Sequence, residues 1–204
     1  MDGALIFDLG GVVVDWSPRY LYDRLIDDPA RRERFLGEVC SPAWHAQLDA
    51  GTPLREAVER RCAEFPDWSE LIRAYADQWQ DMFAGTIPGA VELLDELHAR
   101  GTRLFAITNW PADTFPAARE RFPSLRLFAD IVVSGREGLT KPGAEIFRLA
   151  LRRFGVRAGE CLFIDDNADN VAAAERLGLA ATRFVDVPTL RAHPGVAAHL
   201  AERG

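Results

Sequence analysis

Apolar residues along this chain follow two patterns. Ala4 to Phe7 is an unbroken apolar run, as expected of a strand covered on both faces of a parallel sheet. Similar runs predict strands over Arg103 to Thr108, near Asp130 to Val133, over Glu160 to Ile164 and over Leu179 to Phe184. Between them apolar positions recur at helical spacing, with Val91, Leu94 and Leu97 in a helix from Pro88 to Arg100, and Ile146, Leu149 and Leu151 in one from Pro142 to Phe154. Two more helices are predicted from about Pro111 to Phe122 and from Ala168 to Leu177. Gly101 and Gly178 stand where helices commonly stop. Strands that alternate with helices imply right-handed crossovers and a Rossmann-like α/β fold, a parallel sheet with helices on both faces.

The stretch from Ser17 to Gly85 breaks this rhythm. Its apolar residues, among them Leu21, Leu25, Phe35, Leu36, Val39, Leu71, Ile72, Tyr75, Trp79, Met82 and Phe83, all recur at helical spacing. Pro29, Pro42, Pro53 and Pro66 punctuate it into four or five short helices, each proline where a first helical turn tolerates one. The reading is a small all-helical cap over residues 17–85, inserted after the first strand of a core formed by 1–16 and 86–204. Trp68 and Trp79 are expected to fill the space between cap helices. Pro188 to Gly204 is expected to be a surface helix interrupted at Pro194.

At 204 residues the chain suits one domain with an inserted lobe, large enough to bury roughly 70% of its unfolded surface. Cys40, Cys62 and Cys161 are odd in number and lack Cys-x-x-Cys spacing, which indicates neither a disulfide framework nor a zinc site and points to a reducing compartment. Neither a signal-peptide pattern nor an apolar segment of membrane-spanning length is present, so a soluble, cytoplasmic protein without a membrane partner is expected. A net charge of −7 argues against nucleic acid. It leaves room for a small anion, because a bound cation can reverse the field inside one pocket. The oligomeric state stays open.

The predicted strands end in polar residues. The first gives Asp8, followed by Gly10 and Gly11; the second gives Thr108-Asn109-Trp110; the third leads to Lys141-Pro142; the fourth gives Asp165-Asp166-Asn167. The carboxyl ends of parallel strands share one edge, so these residues meet in one crevice. Each also has an ordinary use: Asp165 and Asp166 as helix caps, Thr108 as a strand former, Lys141 as a surface lysine. Together they are an acid cluster. Two carboxylates 4 Å apart repel by about 4 kcal/mol at an effective dielectric of 20, so a cation is expected. Hard oxygen ligands favour Mg2+.

Phe-Asp-Leu-Gly-Gly-Val, Ile-Thr-Asn-Trp, Leu-Thr-Lys-Pro and Phe-Ile-Asp-Asp-Asn-Ala-Asp-Asn resemble the four motifs of the haloacid dehalogenase-like (HAD) hydrolase superfamily. The opening and the last motif are most similar to those of bacterial α-D-glucose-1-phosphate phosphatases. The resemblance implies a magnesium-dependent phosphatase for a small phosphorylated metabolite, with a sugar phosphate preferred. It implies that Asp8 is the nucleophile, that Thr108 and the Asn109 amide hold phosphoryl oxygens, and that Lys141 neutralises them and orients Asp8. It places the metal on Asp8, the Gly10 carbonyl and Asp166, with Asp165 either sharing that role or supporting it from behind. Trp44, His45 and Asp49 resemble the segment by which relatives' caps face substrate, and His45 is a candidate contact.

One departure stands out. Most family phosphatases have a second Asp, a general acid, where this chain has Gly10. Either the leaving group is a good one, or His45 or Asp15 supplies the proton. A 2-haloacid dehalogenase, which needs neither that acid nor a metal, is the alternative activity, and a weakly catalytic phosphate-binding relative is a third.

Overall fold

The computed structural model describes residues 3–201 of the chain. Among the described residues there are seven strands: β1 Ala4–Phe7, β2 Val14–Trp16, β3 Phe83–Thr86, β4 Arg103–Thr108, β5 Asp130–Val133, β6 Cys161–Asp165 and β7 Ala180–Arg183. Five form a parallel sheet in the order β5-β4-β1-β6-β7, and β2 pairs antiparallel with β3 in a separate ribbon. Consecutive β1 residues point to opposite faces, and all four are buried. Leu5 and Phe7 join one apolar cluster, Ala4 and Ile6 the other.

Between β2 and β3 lie α1 Arg19–Leu25, α2 Pro29–Arg34, α3 Pro42–Asp49, α4 Leu54–Glu64 and α5 Ser69–Asp77. Asp28 and Ser41 cap α2 and α3 through their side chains, each with proline just inside the helix, the arrangement expected at a helix start. A π-helical turn, Phe35–Val39, joins α2 to α3. The core helices are α6 Ala90–Ala99, α7 Phe115–Arg121, α8 Ser134–Glu137, α9 Ala144–Phe154, α10 Ala168–Arg176, α11 Val187–Ala192 and α12 Pro194–Leu200. Leu93, Leu94, Leu97 and Ala118 (α6, α7) cover one face of the sheet; Ile146, Phe147, Ala150 and Ala173 (α9, α10) cover the other.

The sheet and its two helical layers agree with the Rossmann-like expectation. The helical reading of the insertion fails at its far end. Phe83–Thr86 is a strand held by Val14–Trp16, because a short extended segment beside a second extended segment gains ladder hydrogen bonds that a frayed helix end lacks. The helix expected from Pro111 starts only at Phe115, after the chain has turned at the site. The expected final surface helix is divided at His193 into α11 and α12, and its last residues, 202–204, lie outside the described residues.

Candidate active site

Asp8 follows β1 directly, at the edge where β4 and β6 also end. Its Oδ1 accepts from the Leu9 backbone N–H at 2.7 Å and lies 2.9 Å from Lys141 Nζ. The same ammonium donates to Asp165 Oδ2 at 2.7 Å. Lys141 is only 4% exposed and Asp165 fully buried. Burial opposes the Lys141 charge, but Asp8 and Asp165 outweigh it and hold its pKa above the usual lysine range. For Asp8 burial is the larger effect and pushes the carboxyl up to about 7, with Lys141 pulling it down and Asp165 pushing it further up.

The two acids after β6 are sorted by their surroundings. Asp165 is saturated: besides Lys141, it accepts from the Asn167 backbone N–H at 2.8 Å and from Asn170 Nδ2 at 3.0 Å and 3.1 Å. Asp166 is exposed as a residue and lines the cavity; partial desolvation of its carboxyl, and after that the Asp165 charge beside it, raise its pKa. One oxygen from each of Asp8, Asp165 and Asp166 lies within 4.8 Å of the others. Three carboxylates around one ammonium leave an excess of negative charge, which suits a small hard cation. Gly11 makes this approach possible. Its φ is +73°, and a Cβ there would stand 2.6 Å from Asp166 Oδ2. Gly10 differs, since a Cβ on it would meet nothing within 4 Å.

On the other flank Thr108 ends β4, 1% exposed, and its Oγ1 has no hydrogen-bond partner. A buried hydroxyl left unpaired costs about 1–3 kcal/mol, a cost that an anion accepting from it would remove. The Asn109 side chain is already committed: its Nδ2 donates to the Lys141 carbonyl at 3.0 Å and its Oδ1 accepts the Lys141 N–H at 2.9 Å. It therefore fixes the lysine loop, while one Nδ2 hydrogen is left over and the residue lines the cavity. Trp110 is held by its backbone, with its N–H on Ser134 Oγ at 2.9 Å and its carbonyl accepting from the Gly135 N–H at 3.1 Å. Gly135 has to be glycine, because a Cβ would come within 2.5 Å of the Ala112 nitrogen.

A cavity of about 290 Å3 opens at this edge of the sheet. Asp8, Gly10, Gly11 and Asp166 form one side; Asn109, Trp110 and Pro111 another; Trp16, His45, Asp49 and Trp79 close it from β2 and the insertion. His45 stacks on Trp16 with ring centroids 4.8 Å apart, and its Nδ1 is hydrogen-bonded to the Tyr75 hydroxyl. Burial lowers the His45 pKa to about 4, so the imidazole is neutral at pH 7. A neutral imidazole is a poor acid. Asp15, the other proton source suggested by sequence, does not line the cavity, and both its oxygens accept from the Tyr20 hydroxyl at 2.9 Å. Trp44 packs edge-on against Tyr75 and also stays off the cavity.

Sequence reasoning missed two kinds of residue here. Trp79 was expected to serve packing alone, and it both packs, edge-on at 4.8 Å from Phe83, and lines the cavity. Trp16, at the end of β2, carried no role, and Trp110 was placed at the strand edge by its motif without one.

A profile of haloacid dehalogenase-like hydrolases matches residues 3–178. The chain is 28% identical over 193 residues to a sesquiterpene phosphatase from Aspergillus oryzae, covering 90% of both chains. It is 33% identical over 182 residues to a phosphoglycolate phosphatase from Rhodospirillum rubrum, covering 88% of this chain and 74% of that one. Among solved structures, a HAD family enzyme from Bacteroides thetaiotaomicron, in complex with magnesium and inorganic phosphate, superposes with a TM-score of 0.69 at 18% identity. That match covers 90% of this chain and 94% of the other. With a family profile over most of its length and this parallel sheet, the chain belongs to the haloacid dehalogenase-like hydrolases.

Proposed function

We propose that this hydrolase is a magnesium-dependent phosphatase of a small phosphorylated metabolite, preferentially a sugar phosphate, working through an aspartyl-phosphate on Asp8. Residues 17–85 act as the cap and residues 1–16 with 86–204 as the catalytic core. The observation that carries the reading is the single Lys141 ammonium shared by Asp8 and Asp165, with the Asp166 carboxylate alongside and the unpaired Thr108 hydroxyl nearby.

The donor set fits magnesium: two carboxylates, Asp8 and Asp166, with the Gly10 carbonyl, and Asp165 holding Lys141 from behind. Magnesium bound there supplies charge neutralisation between the Asp8 carboxylate and the phosphoryl oxygens. Lys141 orients Asp8 toward phosphorus and balances charge as the ester oxygen departs, which is the greater part of what phosphoryl transfer asks of a protein. Thr108 Oγ1 donates to a phosphoryl oxygen, and Asn109 keeps the Lys141 backbone in place. Trp16, Trp79 and Trp110 give the cavity apolar walls that suit the apolar surface of a sugar ring, with Asp49 and His45 near its hydroxyls. The finding of phosphatases among the relatives supports the same reaction.

The test is phosphate release from a panel of phosphorylated metabolites with and without magnesium, with Asp8→Asn as the blank. Turnover is expected only with the metal and only with Asp8. Halide release from a 2-haloacid without metal, and no phosphate release, would turn the assignment to a dehalogenase.

A further inference from the structure

Gly10 leaves the reaction without the acid that usually protonates the departing oxygen. We infer that Asp49, reaching the cavity from α3, is the catalytic residue that gives this proton and later takes one from the attacking water.

The inference rests on the proposed phosphatase reaction and on four observations. Asp49 is 8% exposed and lines the same cavity as Asp8. Its Oδ1 is buried without a hydrogen-bond partner, an expensive state for a carboxyl group unless a ligand or a proton satisfies it. His45 Nε2, one helical turn away, stands 3.5 Å from that oxygen. The Tyr75 hydroxyl bonds His45 Nδ1; in the role inferred for Asp49 the hydroxyl is the donor, which puts the imidazole hydrogen on Nε2, facing Asp49. Tyr75, His45 and Asp49 therefore lie in a row, with Trp16 stacked on the imidazole, that ends in a carboxyl group bordering the Asp8 cavity on one side and a second cavity, lined by Trp16, His45 and Tyr75, on the other. Burial, with Asp8 adding to it, raises the Asp49 pKa to about 7, so both protonation states are populated near neutral pH.

In the first step an Asp8 oxygen bonds to phosphorus, the bond from phosphorus to the ester oxygen breaks, and the Asp49 proton moves to that oxygen. In the second, water attacks the phosphorus of aspartyl-phosphate, its proton passes to the Asp49 carboxylate, and Asp8 leaves as carboxylate with phosphate as product. Asp49 ends protonated, as it began. His45 is a positioning residue in this scheme.

The experiment compares the chain's preferred alkyl phosphate with 4-nitrophenyl phosphate, whose leaving group needs no proton. The rate compared is release of the leaving group in a single turnover, which reads the first step before the aspartyl-phosphate is hydrolysed; in Asp49→Asn it is expected to fall 10²- to 10⁴-fold on the alkyl ester, the usual worth of general acid catalysis, with less than about a tenfold change on the nitrophenyl ester. Gly10→Asp, which adds a side chain in open space, is expected to restore the alkyl ester activity of Asp49→Asn at least tenfold. His45→Gln should show a smaller loss of the same kind, greater on the alkyl ester. Beryllofluoride binding at Asp8 in each variant reports an intact site, and Asp49→Glu serves if Asp49→Asn fails to fold. Equal losses on both esters, or no loss, overturns the role of Asp49 while leaving the phosphatase assignment standing. A wild-type chain inactive on every ester removes that assignment, and this inference with it.

Discussion

Lys141 is the residue on which charge balance at the site depends. Its ammonium lies between Asp8 and Asp165, both buried, and removing one partner of such a group leaves the rest uncompensated, at a cost of about 3–5 kcal/mol. Lys141→Met should lose that much stability in metal-free urea unfolding, and adding Asp165→Asn should recover part of the stability but none of the activity. His45 gives a second prediction. Its pKa is about 4 folded against 6.5 unfolded, so between those values the unfolded chain binds more protons. Its contribution is complete above pH 6.5 and is lost as pH falls toward 4, on the order of 3 kcal/mol in all. Asp49 and Asp8, with raised values, act in the opposite sense over much of the window. The difference in unfolding free energy between wild type and His45→Gln isolates the histidine, and a difference that stays constant from pH 6.5 to 4 would refute the assignment. Asp8 and Lys141 were legible because motif residues at strand ends have few places to go. The division of labour between Asp165 and Asp166 was not, since only the side chains of Lys141 and Asn170 decide which acid is consumed. Asp49 was named only as one of three residues resembling a substrate-facing segment, since nothing in its sequence context shows that a helical aspartate is buried against a cavity.

Individual elements explain both the good and the poor expectations. The strands β1, β4 and β6 were readable because burial on both faces demands apolar residues without interruption. The β2–β3 ribbon was not, because Phe83-Ala84-Gly85-Thr86 is short and abuts a helical run, and its extended form depends on a partner about 70 residues earlier in the chain. The join between insertion and core also relies on partners distant in sequence. Asp113, in the loop after β4, accepts from the Leu54 N–H at 2.8 Å and so caps α4, whose own N-cap, Pro53, offers no side-chain bond. Arg121 on α7 donates to the Gln80 carbonyl on the other side. Asp113→Ala should therefore cost about 0.5–2 kcal/mol, the worth of a helix cap. Hydrogen exchange is expected to quicken in the first turn of α4 and to stay unchanged in β1. Exchange altered equally in both would mean that the cap is not local.

Across the whole molecule, three acids far apart in sequence, Asp8, Asp165 and Asp166, converge at one edge of the sheet. The parallel sheet brought them there, and its parallel character was legible because strands that alternate with helices permit few topologies. A folded state that gathers these acids while the unfolded chain disperses them should be stabilised by any cation that binds the cluster. The gain is RT ln(1 + [L]/Kd), about 2.7 kcal/mol at a magnesium concentration one hundred times Kd, or roughly 5–11 °C in Tm for a chain of this size. Screening by salt alone would act on all surface charges alike, so the comparison is made against potassium chloride of equal ionic strength. Asp166→Asn should lose most of the shift, since it removes a cavity-facing carboxylate, whereas Asp169→Asn, at an exposed position in the first turn of α10, should keep it. If magnesium raised the Tm of all three proteins equally, or no more than potassium did, the acids at the sheet edge would be a local charge cluster without a metal, and Lys141 alone would have to balance the phosphoryl group.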